Sequence, residues 1–264
     1  MKFAKTSLSL AIMAFALTAC GGDDTRYVDR VTEVPGDTVE NPVEYMPVDG
    51  HVLGFWVMDA DADCEEFCVN DYSAYGNPLY ALDGNYQELE AAPRSEEGGA
   101  VGGVLGFDGT YQLSTRENSV LANTVIGEAF ALHVRARSAA DPQGSVFSLG
   151  SQGALAFDLQ MNGAAAVLNF PNQERRLVVA LGDTGTWQEL WVGSDGNHVT
   201  VQLDCETVAE FDRSAGMPIL SSQATGAMVG AAWGSTTRTP FQGDVDLVRL
   251  SGSDEANLFC PESD

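Results

Sequence analysis

The chain has 264 residues, 13 basic against 38 acidic side chains, and a net charge of −25 at pH 7. A surface of that sign excludes nucleic acid as a partner, because binding it needs clustered Lys and Arg, and it opposes electrostatic attachment to anionic lipid. An apolar fraction of 44% with twelve Phe and four Trp suffices for a real core.

Along the chain, Lys2 and Lys5 precede a short apolar run from Leu8 to Leu17. That run is shorter than the roughly 20 apolar residues a membrane helix needs, and it fits the hydrophobic region of an export signal. Leu17-Thr18-Ala19-Cys20-Gly21 follows. It resembles the bacterial lipobox, which implies cleavage after residue 19, acylation of Cys20 and attachment to the membrane through three acyl chains. The glycine after Cys20 implies the outer membrane, on its periplasmic or outward face. Cleavage would remove both lysines, leaving eleven arginines against 38 acids, a net charge of −27.

Residues 20–48 are polar and acidic, with Pro35, Pro42 and Pro47 and no lasting period of 2 or 3.6, and read as a flexible tether. The folded domain spans residues 49–264. Of its four cysteines, Cys64, Cys68, Cys205 and Cys260, an oxidising compartment makes two disulfides. Three pairings exist. Cys64–Cys68 with Cys205–Cys260 is favoured because each pair lies within one end of the chain, and on the chain-entropy account the longer loop contributes roughly 4 kcal/mol and the shorter roughly 2 kcal/mol. Zinc is the alternative, with only three widely spaced histidines to support it.

Strand signals then recur. Phe130, Leu132 and Val134 alternate with polar or small residues, as do Val199, Val201 and Leu203. Residues 146–149, 155–159, 166–170 and 177–181 are further strands, separated by turns such as Asp108-Gly109, Gly182-Asp183 and Asp195-Gly196. No long amphipathic helix interrupts them, so the domain is all-β, a sandwich or barrel.

Five segments in order carry a resemblance: Leu53-Gly54-Phe55-Trp56, Asp71-Tyr72-Ser73-Ala74-Tyr75-Gly76-Asn77, Gly103 to Tyr111, Trp187 to Asp204, and Phe241 to Leu250. Over residues 51–251 the chain resembles the laminin-G-like domains of the concanavalin A-like lectin/glucanase superfamily. The resemblance implies a jelly-roll of two antiparallel sheets with the first and last strands adjacent, core positions for Trp56 and Trp187, and a calcium ion at the rim held by Asp71, Asn77 and Asp246. Ala74 stands where the family has glycine, and would strain the loop if that position needs positive φ. Trp191, on the same strand face as Trp187, reads as core. The acidic run Asp59 to Glu66 reads as a solvated loop, and His51, His133 and His198 as surface or strand residues.

The glucanase relatives use alternating Glu and Asp on one strand face, a string this chain lacks. It also lacks a Gly-x-Ser-x-Gly elbow, a His-Glu-x-x-His motif and a phosphate loop. The reading is therefore a non-catalytic binding module for a glycan or a partner protein, with Trp233 and Tyr75 as candidate stacking surfaces. A structural or assembly lipoprotein and a divergent polysaccharide-active enzyme are the alternatives.

Overall fold

The computed structural model describes residues 51–58, 68–89, 95–97, 99, 103–116, 121, 129–139, 144–151, 153–183, 185–221, 226–233 and 240–252. Cys20, the tether, Cys64, Cys260 and the acidic run Asp59 to Glu66 lie outside them, and with them one member of each expected cysteine pair.

In chain order the strands are β1 (Val52–Val57), β2 (Cys68–Val69), β3 (Leu79–Asp83), β4 (Ser95–Glu97), β5 (Gly103–Asp108), β6 (Tyr111–Thr115), β7 (Ala129–Ser138) and β8 (Gly144–Ser151). The second half holds β9 (Ala154–Met161), β10 (Ala165–Phe170), β11 (Arg175–Ala180), β12 (Gln188–Asp195), β13 (His198–Leu203), β14 (Glu206–Asp212), β15 (Gly226–Val229) and β16 (Gln242–Ser251). All strand pairings are antiparallel and form two eight-stranded sheets. The first runs β14-β13-β12-β7-β16-β5-β4, with β1 also on β16. The second runs β11-β10-β9-β8-β15-β6-β3-β2. This is the concanavalin A-like jelly-roll sandwich, with the first strand paired to the last from Val52↔Ser251 to Val57↔Leu247.

Each strand alternates, and the inward residues meet between the sheets. Phe130, Leu132, Val134, Leu190, Val192, Val199 and Val201 come from the first sheet. Phe147, Leu149, Phe157, Leu159, Leu168 and Phe170 come from the second. Each such side chain contributes about 1.5–3 kcal/mol on burial, which is why the alternation selects the register.

Trp56 is the largest fully buried side chain at the β1 end of the core. Its indole folds back over Gly54, where a Cβ would stand 2.1 Å from the ring, so only glycine fits there. Its Nε1 donates to the carbonyl of Asn77 at 2.7 Å. The Asn77 side chain is also buried. Its amide nitrogen donates to the Leu53 carbonyl at 2.8 Å and its Oδ1 accepts from the Leu121 amide at 2.9 Å. Asn77 thus joins β1, its own loop and residue 121.

Trp187, just before β12, and Trp191, on it, face outward, since Leu190 and Val192 take the inward parity. Trp191 is nonetheless buried, as expected, while Trp187 is only partly so. Trp187 lies under the Arg135 and Arg137 guanidinium groups, 4.6 and 4.8 Å from its ring centroid. Trp191 stacks on His133, centroids 3.7 Å apart and planes within 7°. His133 is a strand residue, as expected, and is buried there.

Asn77→Ala should leave the Leu121 amide and the Leu53 carbonyl without their buried partner. An unsatisfied buried group costs about 1–3 kcal/mol, so we expect a loss of roughly 2–5 kcal/mol in urea unfolding, with the midpoint shifted and the slope unchanged. A loss below about 1 kcal/mol would show that this junction is not structural.

Candidate functional site

The loop 71–77 is built around one carboxylate. Asp71 Oδ1 accepts from the amides of Phe55 and Ser73, both at 2.8 Å. Its Oδ2 accepts from Ser73 Oγ at 2.6 Å and from the Asn77 amide at 2.7 Å. A carboxylate offers about four lone-pair positions, and four protein donors fill them. Positive φ falls on Gly76, at 63°, and not on Ala74, so alanine strains nothing. Asp246, fully buried on β16, is ion-paired to Arg135.

The structure therefore brings Asp71 and Asn77 together through a hydrogen bond, while Asp246 is committed to an arginine. Calcium takes six to eight oxygens. Both Asp71 oxygens and Asn77 Oδ1 are engaged by amide and hydroxyl donors and Asp246 Oδ2 by a guanidinium, so the three residues as placed do not present six to eight open oxygens. Among the described residues, no three His, Cys, Asp or Glu side chains gather as metal ligands. Tyr75, in the same loop, packs half-buried against the interior cluster.

Trp233 lies elsewhere, on the outer face of the second sheet. That face follows from the pleat. Leu79, Leu113, Ala227, Phe147, Leu159 and Leu168 point inward, so their neighbours point out. Strand register aligns the outward residues in one row across seven strands: Tyr80, Ser114, Met228, Ser148, Asp158, Asn169 and Arg176. The turn after β15 folds back over the middle of this row. Ser148 Oγ donates to the Ala231 carbonyl and accepts from the Trp233 amide, both at 3.1 Å. One hydroxyl thereby clips the turn to β8.

The Trp233 indole rests on a floor of two paired glycines, Gly150 and Gly226. A Cβ on Gly226 would stand 3.0 Å from Trp233 Cζ2, and one on Gly150 would stand 3.0 Å from Trp233 Cβ. Any side chain there would lift the ring. The residue is half-buried, and its Nε1 has no acceptor among the described residues.

Beside this platform sits Asp158, 1% exposed. Ser145 Oγ donates to its Oδ1, while Gln160 Nε2 at 2.5 Å and Asn169 Nδ2 at 3.3 Å donate to its Oδ2. Burial pushes its carboxyl above the ordinary value, and the three donated hydrogen bonds pull against that shift. At the end of the row, Arg116 lies over the Tyr80 ring at 3.6 Å and pairs with Glu88. Ser148 and Asp158 escaped sequence reasoning. The available signal was the run of small residues Ser145, Ser148 and Gly150 in one strand.

The outer face of the first sheet carries a second polar cluster. His133 Nε2 meets Glu189 at 3.0 Å. Burial holds the imidazole below its ordinary pKa of 6.5, against the opposing pull of Glu189. The ring is thus neutral at neutral pH and donates to the Glu189 carboxylate. Its Nδ1 is buried without a partner among the described residues, so protonation would add a donor that none of them accepts.

The chain matches no family model and no curated protein. Among solved structures it is similar to the binding domain of botulinum neurotoxin DC in complex with rat synaptotagmin II, at 7% identity and a TM-score of 0.53, covering 78% of this chain and 49% of that one. It is also similar to the receptor binding domain of the botulinum neurotoxin C/D mosaic serotype, at 8% identity and a TM-score of 0.53, over 78% and 49%. A third likeness is to domain 4 of AbnA, a GH43 extracellular arabinanase from Geobacillus stearothermophilus, in complex with arabinotriose, at 10% identity and a TM-score of 0.53, over 78% and 95%. The chain spans about half the length of the neurotoxin chains and nearly all of the arabinanase domain. At these identities the likeness is one of fold.

The His133 environment sets a pH dependence. A folded-state pKa below the unfolded value means that stability is complete above about pH 6.5 and is lost as pH falls towards the folded pKa. Thermal melts from about pH 7 to about pH 5 should show a falling midpoint. His133→Phe, which keeps the stack on Trp191, should flatten that slope. An unchanged slope would assign the acid sensitivity to another group.

Proposed function

We propose that this chain is an exported, lipid-anchored, non-catalytic module with a laminin-G-like sandwich that binds a glycan on the outer face of its second sheet. One observation carries the reading: a partly exposed tryptophan over a two-glycine floor, on the same sheet face as the partly exposed carboxamides of Gln160 and Asn169. Sugars present an apolar ring face to an aromatic surface and hydroxyls to planar polar groups, and both are here side by side. The arabinotriose held by the similar arabinanase domain supports it. A non-catalytic role is supported because the row carries a single acid, Asp158, whose partners Ser145, Gln160 and Asn169 are all neutral, whereas most glycosidases place two carboxyl groups across the scissile bond.

A glycan array followed by calorimetry tests the site. Trp233→Ala should weaken binding about tenfold or more, equivalent to about 1.4 kcal/mol, while the fold persists by circular dichroism. Retained affinity in Trp233→Ala would remove the platform from the site. Absence of any glycan ligand would turn the reading to a protein partner, in line with the synaptotagmin complex of the similar neurotoxin domain.

Export and anchoring rest on the Leu17 to Gly21 motif and on the even cysteine count that remains after Cys20. A palmitate analogue should label wild type and not Cys20→Ala. Non-reducing peptide maps of the same preparation should link Cys205 to Cys260 and Cys64 to Cys68. Equal labelling of both proteins, or four free thiols, would refute the exported state.

A further inference from the structure

We propose that buried Asp158 is a positioning residue that makes this face selective for neutral, hydroxyl-rich glycans over acidic ones. The inference rests on the glycan reading above and deepens it.

An ionised carboxylate only accepts hydrogen bonds. The Gln160 and Asn169 side chains therefore have to turn their NH2 groups towards Asp158, and this directs their carbonyl oxygens away from it. Neither oxygen accepts a hydrogen bond from the described residues, and both residues are half-exposed. Two acceptors are thus fixed on adjacent strands, β9 and β10. On the sheet lattice Asp158 stands roughly 8–10 Å from the glycine floor of Trp233, given strands about 4.8 Å apart and a rise of about 3.3 Å per residue. The Trp233 side chain adds a partly exposed aromatic surface, its Nε1 being buried.

The ligand must therefore donate to the carboxamide oxygens. A hydroxyl can donate and an ionised carboxylate only accepts. Asp158 is also uncompensated, since its three partners are neutral and no ion pair reaches it among the described residues. Burial protects its charge from screening by salt, so an anionic sugar over this spot meets both a repelling charge and two acceptor oxygens. The net charge of −25 works in the same direction.

The test compares full-length wild type, Asp158→Asn and Trp233→Ala in about 0.15 M salt, titrated with neutral arabino- and gluco-oligosaccharides and with galacturonate oligomers. Wild type should prefer the neutral set about tenfold or more. Asp158→Asn removes the charge but keeps one oxygen that can hold Gln160 and Asn169, so it should keep the neutral-set affinity within about threefold. It should lose the discrimination against galacturonate, which a merely structural defect would leave in proportion. If Asp158→Asn does not fold, the double substitution Gln160→Ala, Asn169→Ala carries the test, and unchanged neutral-glycan affinity there overturns the proposal. Equal wild-type affinity for neutral and acidic oligomers, or an Asp158→Asn protein with intact selectivity, also overturns it while leaving the Trp233 reading in place. If wild type binds none of these glycans, or Trp233→Ala binds as wild type does, the glycan reading itself fails and this inference with it.

Discussion

The pleat of the second sheet is the constraint on which the rest depends. Once Phe147, Leu149, Phe157 and Leu159 are committed to the interior, Ser148 and Asp158 have no choice but the opposite face. A one-residue slip would bury Asp158 in the sandwich and expose Phe157 or Leu159. The hydrophobic effect thus fixes the register, and the register alone decides that hydroxyl, carboxyl and carboxamide groups line up across adjacent strands. The polar face is a by-product of core packing, refined by which residue occupies each outward position.

Much of the fold was legible for the same reason. Phe130 to Arg135 and Val199 to Asp204 alternate so clearly that β7 and β13 could be drawn from the sequence, and the strand proposed over residues 166–170 differs from β10 by one residue. Trp187 and Trp191 show the limit. Period 2 says that they share a face but not which face, and the family resemblance put Trp187 in the core. The arginines opposite, Arg135 and Arg137 on β7, were the missing clue, because their guanidinium groups cover an outward tryptophan. The loop 71–77 was recognisable as a unit, yet its residue types fit two structures, a cation cage or a carboxylate satisfied by backbone amides. Only the donors around Asp71 decide between them.

The candidate face was half legible. Trp233 stood out as an aromatic among small residues, Ala231, Ala232 and Gly234. Tyr75 was chosen on the same ground, but it packs against the interior cluster from a different loop. Asp158 was hidden inside an apolar run, Leu155 to Leu159, where one polar residue looks like an ordinary outward position. Its partners come from two other strands, β8 and β10, and no local pattern in the sequence encodes that meeting.

The Ser148 hydroxyl is the sole side-chain link described between the turn that carries Trp233 and the strands beneath it. The aromatic surface and the hydrogen-bonding row are consequently encoded by separate stretches of chain, one a short turn and the other three strands of a sheet. On the proposed glycan reading, a family built on this plan can exchange the turn, and with it the outline of what it grips, while the sheet keeps the polarity of what it accepts. Shape and chemistry of recognition are then separately mutable, and a lineage can change one without rebuilding the other.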